Sequence, residues 1–208
     1  VARAEPAAEA PVEPAAEAGV ELAVEPAAEA IDRYFAGEKA AGWSVLPAGL
    51  ESAGVGVWLL TRNDDLAAGA AWPLLGVGAV ELIVATVLIL RTDGQVADLK
   101  AGLASDRAAT LAAEAQRIER VNATFTWLEA AEIAVIGGGL VAAGLGFGQD
   151  DDFTLGLGLA LAGEAAVILV FDLFAEARSQ RFARDLAALS AGPTADGQGA
   201  AAALTLRW

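Results

Sequence analysis

Four apolar runs organise the chain, and each has a single acid set well inside it. They cover 43–61, 66–90, 127–148 and 153–175, and the acids are Glu51, Glu81, Glu132 and Glu164. Glu129 and Asp172 lie nearer the ends of theirs. A helix of this length, rising about 1.5 Å per residue, crosses a hydrocarbon core of about 30 Å. The second and fourth runs are rich in Leu, Ile, Val and Phe. Each such side chain contributes roughly −0.3 to −0.6 kcal/mol to insertion, against roughly 2.5 to 3.5 for one central acid. They insert unaided. The first run, with Pro47, Glu51 and several glycines, comes out near zero on the same scale and needs its neighbours.

The connections alternate in length. TRNDDL (61–66) and GQDDD (148–152) are tight acidic turns that fold the runs into two helical hairpins, whereas 91–126 is long and charged. After a TDG turn at 92–94, Val96, Leu99, Leu103, Leu111, Ile118, Val121, Phe125 and Leu128 recur at helical spacing. This predicts a helical linker over 95–126 that runs directly into the third span. Leu173, Phe174, Ala177, Phe182, Leu186 and Leu189 extend the fourth span in the same way. The two extensions are expected to pack on each other, with Arg178, Arg181 and Arg184 outward. The expected fold is all-α: an integral membrane four-helix bundle built from two helical hairpins, with amphipathic helical extensions. Its halves read as a loose internal duplication.

The flanks differ in character. EPAAEA occurs at 5–10, 13–18 and 25–30, and such a Pro/Ala/Glu composition cannot bury a core of its own. Residues 1–30 are therefore expected to form an acidic spacer tail that docks on a neighbour. EAIDRYFAGEKA (29–40) reads as a short interfacial helix with Ile31, Tyr34 and Phe35 on one side and Trp43 close by. The bundle then occupies 31–190, followed by a flexible tail over 191–208. The closing LTLRW and the alternation LGLGLALA (155–162) resemble barrel strands, but barrel strands alternate over about ten residues and the unbroken run at 66–90 does not.

Composition narrows the chemistry. The 208 residues carry a net charge of −15 alongside a mean hydropathy of +0.49, because charge is concentrated in the connections and flanks and each run holds only one or two acids. There is no Cys and no His, which excludes disulfides, thiolate or imidazole metal ligation, and Cys-His or Ser-His catalysis. The acidic balance argues against nucleic acid as a partner. No cofactor and no metal site is expected: NDD (63–65) and QDDD (149–152) lack the spacing of a calcium loop and read as solvated helix starts. The Asn122-Ala-Thr124 sequon is a chance match. The paired glycines lack the strand-turn-helix setting of a dinucleotide fingerprint.

Orientation signals conflict. Arg3, Arg33 and Lys39 precede the first span, Arg91, Lys100, Arg107, Arg117 and Arg120 lie between the hairpins, and Arg178, Arg181, Arg184 and Arg207 follow the last, against Arg62 alone in the turns. By the positive-inside rule the termini are cytoplasmic. A chain beginning at Val1 without Met suggests instead a cleaved signal peptide and an exported or outer-membrane product. The Ala, Gly and Arg bias points to a GC-rich bacterium and a place in its cell envelope.

Two roles suit the four acids. A neutral Glu can bond across helices as polar glue among small residues, with Gly76, Gly78, Gly138, Gly144, Gly148 and Gly158 as the packing positions. Alternatively, intramembrane acids mark a proton or cation pathway. The expected function is a non-enzymatic structural or accessory subunit, homo- or hetero-oligomeric, that contacts lipid and other membrane or envelope subunits. An exported filament or tube subunit and a small proton- or cation-conducting subunit are the alternatives.

Overall fold

The computed structural model describes residues 15–191, with side-chain surroundings from residue 25 onward. The first two acidic repeats up to residue 14, and the C-terminal stretch after residue 191, lie outside the described residues. The fold is all-α: α1 (Ala15–Leu60), α2 (Asp65–Ser105), α3 (Arg107–Gly148) and α4 (Asp152–Ser190). All four are long and apolar enough to cross a membrane. They pair as two hairpins, α1 with α2 and α3 with α4, joined chiefly where α2 meets α4.

Aspartates set the breaks. Asp64, Asp106 and Asp151 are the N-caps of α2, α3 and α4, and their side chains accept from the backbone N–H of Ala67, Ala109 and Thr154 at 2.7, 3.0 and 3.1 Å. Each satisfies a donor that the first helical turn would otherwise leave orphaned. In the second turn Asp150 takes a φ of 52°, a left-handed conformation that short polar side chains tolerate. Asp106 ends α2 as well, its N–H donating to the Gly102 carbonyl at 2.8 Å. A single residue therefore separates the hairpins.

Two expected boundaries move for identifiable reasons. The turn expected at 92–94 is helical, and α2 runs on to Ser105. Thr92 is buried with its hydroxyl bonded back to the Leu88 carbonyl, and Asp93 pairs with Lys39 of α1 at 2.7 Å. Gly94 costs such a helix about 1 kcal/mol, which the packed Val96, Leu99 and Leu103 offset. Likewise 29–40 is no separate interfacial helix but part of α1, which begins within the second EPAAEA repeat and contains the third. Ile31, Tyr34 and Phe35 do share a face, yet that face is buried in protein: Tyr34 stacks on Phe182 with centroids 4.3 Å apart. Ala27, Ala30, Leu103, Leu111, Ile118 and Leu186 complete this core, to which all four helices contribute. The expected packing of the two extensions is seen here, widened to include α1 and α2.

Towards the turns the helices approach through small residues spaced by seven. Buried positions fall at Gly42, Gly49 and Gly56 on α1, at Ala71, Gly78 and Ala85 on α2, at Gly139 and Gly146 on α3, and at Gly158 and Ala165 on α4. A sustained seven-residue period keeps one stripe of each helix facing its partner. A Cβ on Gly49 would lie 3.0 Å from the Gly78 carbonyl oxygen, and one on Gly139 would lie 2.8 Å from that of Gly158. Gly69 abuts the Phe153 carbonyl and Gly156 abuts that of Leu66, a reciprocal contact that joins the hairpins near their turns.

The glycine positions sort clearly on this basis. Of those expected to pack, Gly78 and Gly158 sit in the seams, whereas a Cβ on Gly76, Gly138, Gly144 or Gly148 would meet nothing within 4 Å. These four lie outside the seams because they fall out of phase with the buried sevenfold stripe. Gly156→Leu is expected to exceed the roughly 1–3 kcal/mol of ordinary core overpacking, since backbone stands in its way. Gly163→Leu, which enters open space, should stay within about 0.5 kcal/mol. Thermal unfolding in detergent, followed by helical circular dichroism, measures both, and equal losses would contradict the assigned α2–α4 contact.

Candidate functional site

The four central acids do not converge on one point. Glu81 is 6% exposed and lies where α1, α2 and α4 meet, beside Gly49 and close enough to Glu164 for their charges to interact. Glu164 is half-buried and accepts from the Ser52 hydroxyl at 3.2 Å. Glu51 is exposed, contrary to its expected place in the interior: a helix turns about 100° per residue, and it is Ser52 that faces inward. Glu51 remains near enough to act electrostatically on Glu164. Beside Glu164 an apolar groove of about 550 Å³ opens between the hairpins, lined by Leu59, Leu66, Leu74 and Leu159, with Arg62 among its walls.

Glu132 belongs to a second group, in the seam between α3 and α4. It is 9% exposed, and its carboxyl is within hydrogen-bonding reach of Asp172. One turn away Glu129 reaches Glu176 in the same manner. At about 1.5 Å per residue, Glu164 sits about 18 Å from the start of α4, and Asp172 about 30 Å from it. The first group is therefore near mid-span and the second near the boundary facing the helical extensions. Glu176 and Ser52 were not among the expected site residues. The spacings Glu129–Glu132 and Asp172–Glu176, three and four residues, place each pair on one helix face and are the signal that could have found this group.

Just beyond the boundary lies a polar cluster set into the aromatic core. The Tyr34 hydroxyl donates to Glu38 Oε1 at 2.8 Å, and Arg91 approaches the other oxygen of Glu38 at 3.8 Å. Arg117 holds Glu114 through two hydrogen bonds of 2.8 and 2.6 Å and lies 5.5 Å over the Phe35 ring. Burial disfavours the Arg117 charge, but Glu114 more than compensates, and the guanidinium is held charged above its ordinary range. Lys100–Asp32 at 2.7 Å and Arg33–Asp185 at 3.6 Å ring this core from outside. These contacts draw α1, α2 and α3 together around the aromatic core, with Glu38 Oε2 buried and without a hydrogen bond.

Chemically, the in-span groups hold carboxyls and hydroxyls only, for no Lys or Arg occurs within the four apolar runs. Among the described residues no three acids converge as a metal site. Such an arrangement can hold and exchange protons, and it can bridge helices. The chain matches no family model, no curated protein and no solved structure.

Tyr34 is the only tyrosine of the chain, so its ionisation can be read directly. Burial first, and then the neighbouring Glu38 charge, push its pKa up to about 12 from 10.0. The unfolded chain therefore loses this proton first, and the stability that Tyr34 contributes should fall as pH rises from 10.0 to about 12. Ultraviolet difference titration of tyrosinate in the folded and denatured protein checks this. A folded midpoint at the ordinary value would mean that the Tyr34–Glu38 contact is not formed.

Proposed function

We propose that this chain is a non-enzymatic structural subunit of a multi-subunit membrane assembly and that it docks through the outer face of α3. The observation that carries this reading is the set of glycines left unused by the chain's own seams. Gly137, Gly138, Gly144 and Gly148 lie within one helix with no neighbour within 4 Å of a Cβ placed on them. A helical glycine costs about 1 kcal/mol relative to alanine, and nothing within the chain offsets that cost here. Close approach of a second helix would, because association in lipid depends on van der Waals packing across small residues.

The stripe extends beyond the glycines. Ala130, Ala134, Gly137, Val141, Gly144 and Gly148 recur at alternating spacings of four and three, and all are exposed. This is the geometry of a helix–helix seam, repeated on the side of α3 turned away from α4. Trp127, exposed one turn earlier, suits the membrane–water boundary. A bacterial cell envelope is the setting that composition favours, and the Lys and Arg distribution favours a cytoplasmic extension end.

Gly137→Leu combined with Gly144→Leu should shift the detergent-extracted complex to a smaller mass, with helicity and thermal midpoint of the subunit unchanged. Size-exclusion chromatography with light scattering, together with cross-linking in native membranes, measures the shift. An unaltered mass distribution would remove the α3 face as the docking surface.

A further inference from the structure

We propose that Glu132 and Asp172 hold one shared, exchangeable proton, with Glu129 and Glu176 as its route to water at the extension end. This site is independent of docking through α3. An ionised carboxylate only accepts hydrogen bonds, and a protonated one also donates. Two carboxyl groups within bonding reach of each other in a lipid-shielded seam therefore need a proton between them. Glu132 is more than nine-tenths buried, its Oε2 is buried with no hydrogen-bond partner, and Asp172 is its neighbour across the seam.

Among the described residues no cation is paired with these two acids. Facing the pair are Glu129 on α3 and Glu176 on α4, both acids. Glu81 of α2 and Ser52 of α1 lie with Glu164, nearer the turns, and Lys39 of α1, towards the extension end, is paired with Asp93 of α2 at 2.7 Å. No Arg or Lys lies in the spans, and the guanidinium of Arg178 is placed against Gly37 of α1. A single shared proton halves the charge of the pair and supplies the hydrogen bond between its two oxygens.

Access is one-sided. Glu129 neighbours Glu176 one turn nearer the extensions, whereas Asp172 and Glu164 are eight residues apart along α4, about 12 Å. That gap exceeds a direct hydrogen bond several-fold. A hydronium ion at the extension end gives its proton to Glu129 or Glu176, which passes it to the Glu132–Asp172 pair. The charge of the pair then falls from −2 to −1. Release retraces the path, so the site loads and unloads from one side and does not conduct.

The test is infrared spectroscopy of the full chain in lipid vesicles, reading the carbonyl stretch of a protonated carboxylic acid and its shift in heavy water. The expected result is a band that grows as buffer pH falls and shrinks as it rises, is lost in the Glu132→Gln/Asp172→Asn double variant, and persists in Glu81→Gln. Both amides can still hydrogen-bond across the seam, and unchanged helicity confirms that the double variant folds. A band insensitive to pH would make the pair a fixed structural bond and overturn the proposal. So would a band that the double variant retains. Vesicles loaded with a pH-sensitive dye supply the second arm: no acceleration of proton entry over protein-free vesicles is expected, and entry abolished by Glu132→Gln would overturn the one-sided route.

Discussion

Close approach of helix backbones is the condition on which the rest of this fold depends. Lipid gives apolar helices no hydrophobic reason to associate, so contact must come from dispersion and from a few buried polar bonds. Dispersion falls steeply with distance, and residues without bulky side chains let one backbone touch another. The seams at Gly49–Gly78 and Gly139–Gly158, and the reciprocal contact of Gly69 and Gly156 with neighbouring carbonyls, meet that condition. A seam this tight excludes lipid and shields the carboxyl groups beside it.

The stripe that carries those glycines changes character along its length. On α3 it runs Leu111, Ile118, Phe125, Glu132, Gly139, Gly146; on α4, in the opposite sense, it runs Leu186, Ser179, Asp172, Ala165, Gly158. Ser179 apart, side chains are large at the extension end and shrink towards the turns. Interaxial distance follows side-chain size, so the hairpin tapers: open where four helices enclose Phe35, Ile118 and Phe182, closed where glycine meets glycine. The carboxyl pair sits at the change-over. It falls between the aromatic core and the glycine seam, one turn from the half-buried Glu129 and Glu176.

Much of this was legible from residue order, and the remainder fails for reasons of phase. The four spans, both hairpins and the helical extensions followed from run length and from apolar spacing, because those signals survive whatever the neighbours are. Which glycines pack did not follow: Gly137, Gly138 and Gly139 are adjacent in sequence, yet only Gly139 enters the seam, and a chain so rich in small residues offers several equally small stripes. Glu51 and Ser52 show the same ambiguity, since one residue of rotation decides which faces inward. The break at Asp106 was hidden because Thr92, Asp93 and Gly94 have turn chemistry. Their helical roles, a back-bonded hydroxyl and an ion pair to Lys39, depend on partners far away in sequence.

The choice of acids for the seam follows from the same taper. A Lys or Arg at the Glu132 or Asp172 position would bring a long stem into a gap sized for short side chains, and its charge could not be shed by losing a proton at neutral pH in the case of Arg. A buried pair of opposite charges would carry the desolvation cost of both ions. Two carboxyls bridged by one proton reduce the buried charge and keep the connection short. They also fix register, because a slip of either helix by one residue would separate the partners and leave both groups unbonded. Small residues thus set how near the helices lie, while the acids set where along the axis they stop.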